Sequence, residues 1–202
     1  MTERAEPSDD DLLPLLRSGD EAAFSALYRR WQGRLYRFAL RMTGSEALAE
    51  DALQETFLVV IGGAAGYDPA RGSFPGWLFG VARNQVLTRL RRESRFVPLE
   101  PDAGEPVHEV RAVDDVQAEL LRREDVERVR GAVLDLAEPF REAVVLCDLQ
   151  GLSYEDAAQA MGCPIGTVRS RLHRARGMLA ERLREPAPTA TAAPLRLARS
   201  TP

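Results

Sequence analysis

GLSYEDAAQAMGCPIGTVRSRLHRARGMLAERL, residues 151–183, spells two helices joined by a tight turn. Ser153, with Asp156 three residues on, has the form of a capping box. The hydroxyl accepts from a free backbone N–H, and the acid suits the positive end of a helix. Ala157, Ala158 and Met161 give a short apolar face. Gly162 then takes the left-handed conformation that ends a helix at low cost, and Pro164 suits the first turn of the next one. In that second helix Ile165, Val168, Leu172, Ala175 and Leu179 recur at helical spacing, while Ser170, His173 and Arg174 point the other way. Arg169 and Arg176 flank one edge of the stripe and Arg171 the other. One face to pack and one basic face to enter a major groove is the helix-turn-helix design. Arginine-rich helix faces are commonly just solvated. The order of cap, short helix, glycine turn, proline start and basic outer face separates this one from them.

The rest of the chain bounds this reading. There are 202 residues with a formal net charge of −4, so nucleic-acid binding is not predicted by total charge. It is predicted by where the charge sits. Arginines 169, 171, 174, 176, 182 and 184 stand against Glu181 alone, and arginines 83, 89, 91, 92 and 95 against Glu93 alone. The acids collect in Glu3 to Asp11 and between Glu100 and Glu127. Every basic residue is arginine, whose planar fork binds phosphate through two N–H groups at once. Of the two cysteines, Cys147 lies in the apolar run AVVLC and Cys163 in the turn before Pro164. Neither has a partner at metal-ligand spacing. No apolar run is long enough to span a bilayer and no signal peptide is visible, so a cytoplasmic, reduced protein is expected.

Hydrophobic periodicity is helical almost throughout, which predicts an all-α chain. The expected helices run from Asp9 to Arg17, from Glu21 to Met42, from Ser45 to about Gly62, and from Phe74 to about Glu93. The third is expected to turn Leu48, Leu53, Phe57, Leu58 and Ile61 to the core, and Phe74-Pro75-Gly76 to make the first turn of the fourth irregular. From Phe96 to Asp115 prolines, Gly104 and acids alternate as in a linker. Helices over Val116 to Leu136 and Pro139 to Leu149 precede the helix-turn-helix, and PAPTATAAP begins a tail of low-complexity composition. The expected layout is two small helical domains, 9–95 and 116–184, joined by a flexible acidic linker, 96–115, and followed by a disordered tail, 185–202.

Three segments in order then resemble one family. AEDALQETFLVV (49–60), FPGWLFGVARNQVLTRLRRESR (74–95) and residues 151–183 are similar to successive landmarks of bacterial RNA polymerase sigma factors. The absence of a middle domain resembles the extracytoplasmic-function (ECF) group. The resemblance implies that Asp51, Gln54, Glu55, Phe57 and Leu58 dock on the clamp helices of the polymerase β′ subunit. It implies that Arg83, Asn84, Arg89, Arg91 and Arg92 meet the −10 promoter element as it opens. It implies that Thr167, Arg169, Ser170, Arg171, His173 and Arg174 read the −35 element. Core RNA polymerase, including its β flap, promoter DNA and an anti-sigma factor are the implied partners. No cofactor, metal or enzyme activity is implied.

Two other readings compete. A stand-alone helix-turn-helix regulator with an N-terminal sensing domain explains residues 151–183 but not 49–60 or 83–92. An RNA-processing enzyme would use the aromatic and arginine residues of 74–92 as a nucleic-acid platform. It lacks a visible catalytic constellation, since His108 and His173 are far apart in sequence.

Overall fold

The computed structural model describes residues 7–63, 66–96 and 116–184, and among these it is helical with no strand. Four helices form the N-terminal half: α1 (Asp9–Arg17), α2 (Glu21–Thr43), α3 (Glu46–Gly63) and α4 (Phe74–Phe96). The C-terminal half holds α5 (Val116–Leu134), α6 (Glu138–Val144), α7 (Tyr154–Met161) and α8 (Ile165–Arg184). The expected linker, with His108, and the tail lie outside the described residues.

The local chemistry explains most boundaries. Asp20 caps α2 by accepting from the Ala23 N–H at 2.9 Å, and Gly44, at φ +74°, ends it in the left-handed region. Leu27, Trp31, Leu35, Phe38 and Met42 are buried at helical spacing along α2. The fourth helix begins at Phe74 with no irregular first turn. Pro75 falls where no N–H is needed, and the Gly76 N–H donates to Ser73 Oγ at 3.0 Å.

The third helix departs from expectation. Its buried residues are Ala49, Ala52, Thr56, Phe57 and Val60, whereas Leu58 and Ile61 are about half exposed. Apolar groups surround this helix, so periodicity alone does not choose a face. The small side chains win the inward face because they let α2 and α4 approach closely, and Thr56 satisfies its hydroxyl on the Ala52 carbonyl at 2.6 Å.

The two halves share one continuous core. Here α6 runs into a π-helical turn, Val145–Leu149, in which the Gln150 N–H donates to the Val145 carbonyl five residues back at 2.9 Å. The carbonyls left over at the end of that turn are met from α2. Arg34 donates to Gln150 O at 2.7 Å and Arg41 to Leu149 O at 3.2 Å. Arg141, on α6, reaches the ends of two helices, donating to Met42 O of α2 and to Leu134 O and Leu136 O around the end of α5. An arginine fork suits this role because it carries several N–H donors in one plane.

Candidate nucleic-acid and protein interfaces

Residues 151–183 fold as two helices about the expected turn, although of the expected capping box only the Ser153 half forms, the Asp156 carboxylate accepting from Ser73 Oγ instead. Ser153 Oγ accepts from the Asp156 N–H at 3.0 Å, Gly162 turns the chain at φ +61°, and Val168, Leu172 and Ala175 are buried beneath α8. The opposite face of α8 presents Arg169, Ser170, His173 and Arg174 to solvent, with Thr167 and Arg171 half-buried at its edges. Arg169 lies over the Tyr154 ring with its guanidinium carbon 5.6 Å from the centroid, a cation–π contact that ties the second helix back to the first. Arg176 forks onto Asp148 at 2.6 and 3.0 Å, and Arg182 pairs with Asp135 at 2.8 Å. These pairs divide the arginines of α8. Two brace the half from outside, while Arg174 and His173 stand on the outward face.

On α4 the candidate residues are not equivalent. Asn84, Arg91 and Arg92 are exposed. Arg83 is engaged by Glu142 of α6, with Nε 2.6 Å from Oε1 and Nη2 3.2 Å from Oε2. Glu142 is only 1 % exposed, so this is a buried pair joining the two halves. Burial pushes the Glu142 carboxyl above the ordinary carboxylate range, and the Arg83 fork opposes that shift. Arg89 turns toward α3, 3.7 Å from Asp51 and 3.9 Å from Glu55. Phe74 and Phe79 are core, and Trp77 is partly buried against Tyr67 and Phe74.

The acidic face of α3 forms a third surface. Asp51, Gln54, Glu55 and Leu58 are exposed, but Phe57 is buried at 4 % exposure. Its ring packs on Phe24 and Tyr28 of α2, with centroids 6.1 and 4.6 Å away. Phe57 is therefore the floor of a groove of about 470 Å³ whose walls include Phe24, Tyr28, Leu53, Leu58 and Ile61. Glu50 and Gln54 also line the groove, and with the exposed Asp51 and Glu55 elsewhere on α3 this apolar floor beside an acidic helix face suits an amphipathic partner that carries basic residues.

Sequence reasoning missed Glu142, although an acid inside the apolar run of 139–147 was a signal that it needed a buried partner. It also missed the outer wall of the groove, because Ile61 was assigned to the core. Among the described residues there is no group of three or more His, Cys, Asp or Glu placed to hold a metal ion, and no helix long and apolar enough to cross a membrane.

Comparison with known proteins supplies the context. Residues 27–96 match the family model for sigma-70 region 2, and residues 127–179 that for sigma-70 region 4. The chain is 37 % identical over 195 residues to the ECF RNA polymerase sigma factor SigE of Mycolicibacterium smegmatis, covering 88 % of this chain and 70 % of the relative. It is 38 % identical over 182 residues to the ECF RNA polymerase sigma factor SigM of Mycobacterium tuberculosis, covering 89 % and 87 %. Among solved structures it resembles CnrH in complex with the cytosolic domain of CnrY, with TM-score 0.64, 26 % identity and coverage of 86 % and 95 %. It also resembles the sigma factor RpoE in complex with the anti-sigma factor NepR from Bartonella quintana, with TM-score 0.62, 29 % identity and coverage of 79 % and 96 %.

Proposed function

Because this chain belongs to the extracytoplasmic-function group of RNA polymerase sigma factors, we infer that its two helical halves divide one task, the selection and opening of a promoter. It is a sigma factor that directs promoter-specific transcription initiation. The observation that carries this is the presence of region 2 and region 4, in that order, on one chain. A stand-alone regulator needs only the second, and the family is one of initiation factors rather than catalysts.

The residue roles follow as our assignments. Gln54 and Leu58 line the α3 groove above its Phe57 floor, Asp51 and Glu55 lie on the exposed side of the same helix toward Arg89, and together these residues dock core polymerase on its β′ clamp helices. Asn84, Arg91 and Arg92 on α4 meet the −10 strand, joined by Arg83 once Glu142 releases it. On α8, Arg169, Ser170, His173 and Arg174 face the −35 major groove, with Thr167 and Arg171 at its margins. Exposed arginines supply phosphate attraction that is independent of sequence, while base edges are read by the side chains seated deepest in the groove. The first part of the C-terminal half meets the β flap. The chain works in the cytoplasm as two helical domains, 9–95 and 116–184, spaced by the polymerase. The related structures contain sigma factors held by CnrY or NepR, which supports an anti-sigma partner for this chain as well.

Reconstitution tests the reading. The purified chain added to core polymerase should bind it tightly and yield discrete run-off transcripts from a subset of genomic promoters. Specific duplex binding by the chain alone, with no transcript from the reconstituted pair, would return the stand-alone regulator.

A further inference from the structure

The first helix holds the loop that leads into α4. Arg17, in the last turn of α1, donates from Nη2 to the Tyr67 carbonyl at 2.7 Å, a contact between residues 50 apart in sequence. Its fork is not needed at the end of its own helix. The Pro14, Leu15 and Leu16 carbonyls there already accept from the N–H groups of Ser18, Gly19 and Asp20, and Leu15 also from Ser18 Oγ. The helix is itself anchored. Leu12, Leu13 and Leu16 are buried, Ser8 and Asp11 close a capping box, and the Asp9 carboxylate accepts from Arg30 at 2.5 Å and from Trp31 Nε1 at 3.2 Å. The region 2 match begins at residue 27, so α1 lies outside it.

The loop that Arg17 reaches, 67–73, borders a cleft of about 400 Å³ beside α4. Gln159 of α7 also lines it, but Tyr67, Asp68, Arg71, Trp77 and Asn84 all belong to the N-terminal half. Tyr67 is fixed by its buried ring, which packs on Phe74 and Trp77, and by its hydroxyl, which donates to the Gly72 carbonyl at 3.3 Å. A peptide beside a fixed ring can still flip as a rigid plane about its flanking dihedrals, and its direction sets where the next side chains point. The Arg17 bond selects one direction. Asp68 then caps the turn Pro69–Arg71 by accepting from the Ala70 N–H at 3.0 Å. A ring to stack on, with polar groups beside it, is what an unstacked base requires. We propose that Arg17 is a positioning residue for the −10 strand: by holding the Tyr67 carbonyl it fixes Asp68 and Arg71 against an unstacked base, so that α1 tunes which base is accepted. The inference rests on the assignment of α4 to the −10 strand. Arg17 acts here through the loop backbone, so its loss changes base choice and strand opening rather than polymerase docking or −35 binding.

Two variants of the full chain, each reconstituted with core polymerase, test it. Arg17→Met keeps an aliphatic stem and removes every donor, whereas Arg17→Lys keeps a charged donor. In Arg17→Met, amide hydrogen exchange of a peptide spanning 67–73 should quicken by about fivefold, the effect of one lost hydrogen bond, while exchange in α2 is unchanged. Capture by core polymerase should also be unchanged. Promoter opening, read by permanganate reactivity of −10 thymines, should slow by about fivefold. The effect should depend on sequence. On a promoter set carrying each of the four bases at every −10 position, the preference at the position the parent discriminates most strongly should shrink by a similar factor. Arg17→Lys should recover part of both the opening rate and the preference. Unchanged exchange in 67–73, or an opening defect equal for all four bases, overturns the proposal. So does a loss of polymerase capture in both variants, which would mark Arg17 as a residue of general stability. The assignment of α4 fails separately: Asn84→Ala would then leave promoter opening and base preference untouched, whatever the loop exchange shows.

Discussion

Glu142 is an acid in an apolar helix, and its environment sets a pH dependence whose sign can be worked out. Burial raises its carboxyl above the ordinary value of 4.5, with the Arg83 bond and charge opposing and Glu138 adding a smaller push. The folded chain thus holds a proton that the unfolded chain has already released. The stability this group contributes is complete below about pH 4.5 and is lost as pH rises through the raised value. Glu142→Gln removes that titration. In urea unfolding from pH 4.5 to 7.5, the stability of the Gln variant relative to the parent should climb with pH. A flat difference would show that Arg83 fully offsets the burial. Cys147 gives a second residue-level prediction. Burial first, then the Asp148 charge, pushes its thiol from 9.0 to about 11, against the opposing charge of Arg176. At pH 8 it holds on the order of a hundredfold less thiolate than an exposed cysteine. Iodoacetamide should label Cys147 correspondingly more slowly in the native chain than in urea, read by mass spectrometry of its peptide; equal rates would refute it.

Helices differ in how much of their packing the sequence discloses. In α8 a single stripe of aliphatic residues faces a polar, arginine-rich side, and the stripe that periodicity predicts contains the residues that are buried. In α3 large apolar groups lie on more than one side, and the close approach of α2 and α4 selects the alanines, a choice made by neighbours rather than by α3 itself. The partner of Arg83 is 59 residues away in sequence, so local pattern had no access to it. The basic outer face of α8 and the acidic face of α3 were readable for the opposite reason: an exposed charged side depends on its own helix alone. The contrast has a measurable form. Leu172→Ala empties a fully buried site and should cost about 2–5 kcal/mol in urea unfolding. Leu58→Ala, at a half-exposed site, should change stability by no more than about 0.5 kcal/mol while weakening capture by core polymerase. A large stability loss in Leu58→Ala would place that residue in the core after all.

At the scale of the whole molecule the three surfaces should fail independently, because each lies on a different helix and, on the roles proposed above, meets a different target: core polymerase, the −10 strand or the −35 duplex. Arg174 stands on the outward face of α8, away from the Asp148 and Asp135 pairs that brace that helix. Arg171 is a poorer probe, since it is half-buried and its charge is felt by Glu142. Arg174→Ala should therefore leave polymerase binding intact while lowering promoter output by about tenfold and reducing the salt dependence of promoter binding by about one counterion. Asp51 is 64 % exposed and its contact with Arg89 is loose at 3.7 Å, so reversing its charge should barely affect folding. If the acidic face of α3 meets a basic partner surface, Asp51→Arg places like charges together there and should weaken capture by core polymerase by about tenfold or more. The two variants mixed in one reaction should not rescue each other, because one chain must carry both surfaces into the same complex. Recovery of full promoter output from the mixture would mean that docking and promoter reading can be supplied by separate chains, which a single promoter-selecting subunit does not allow.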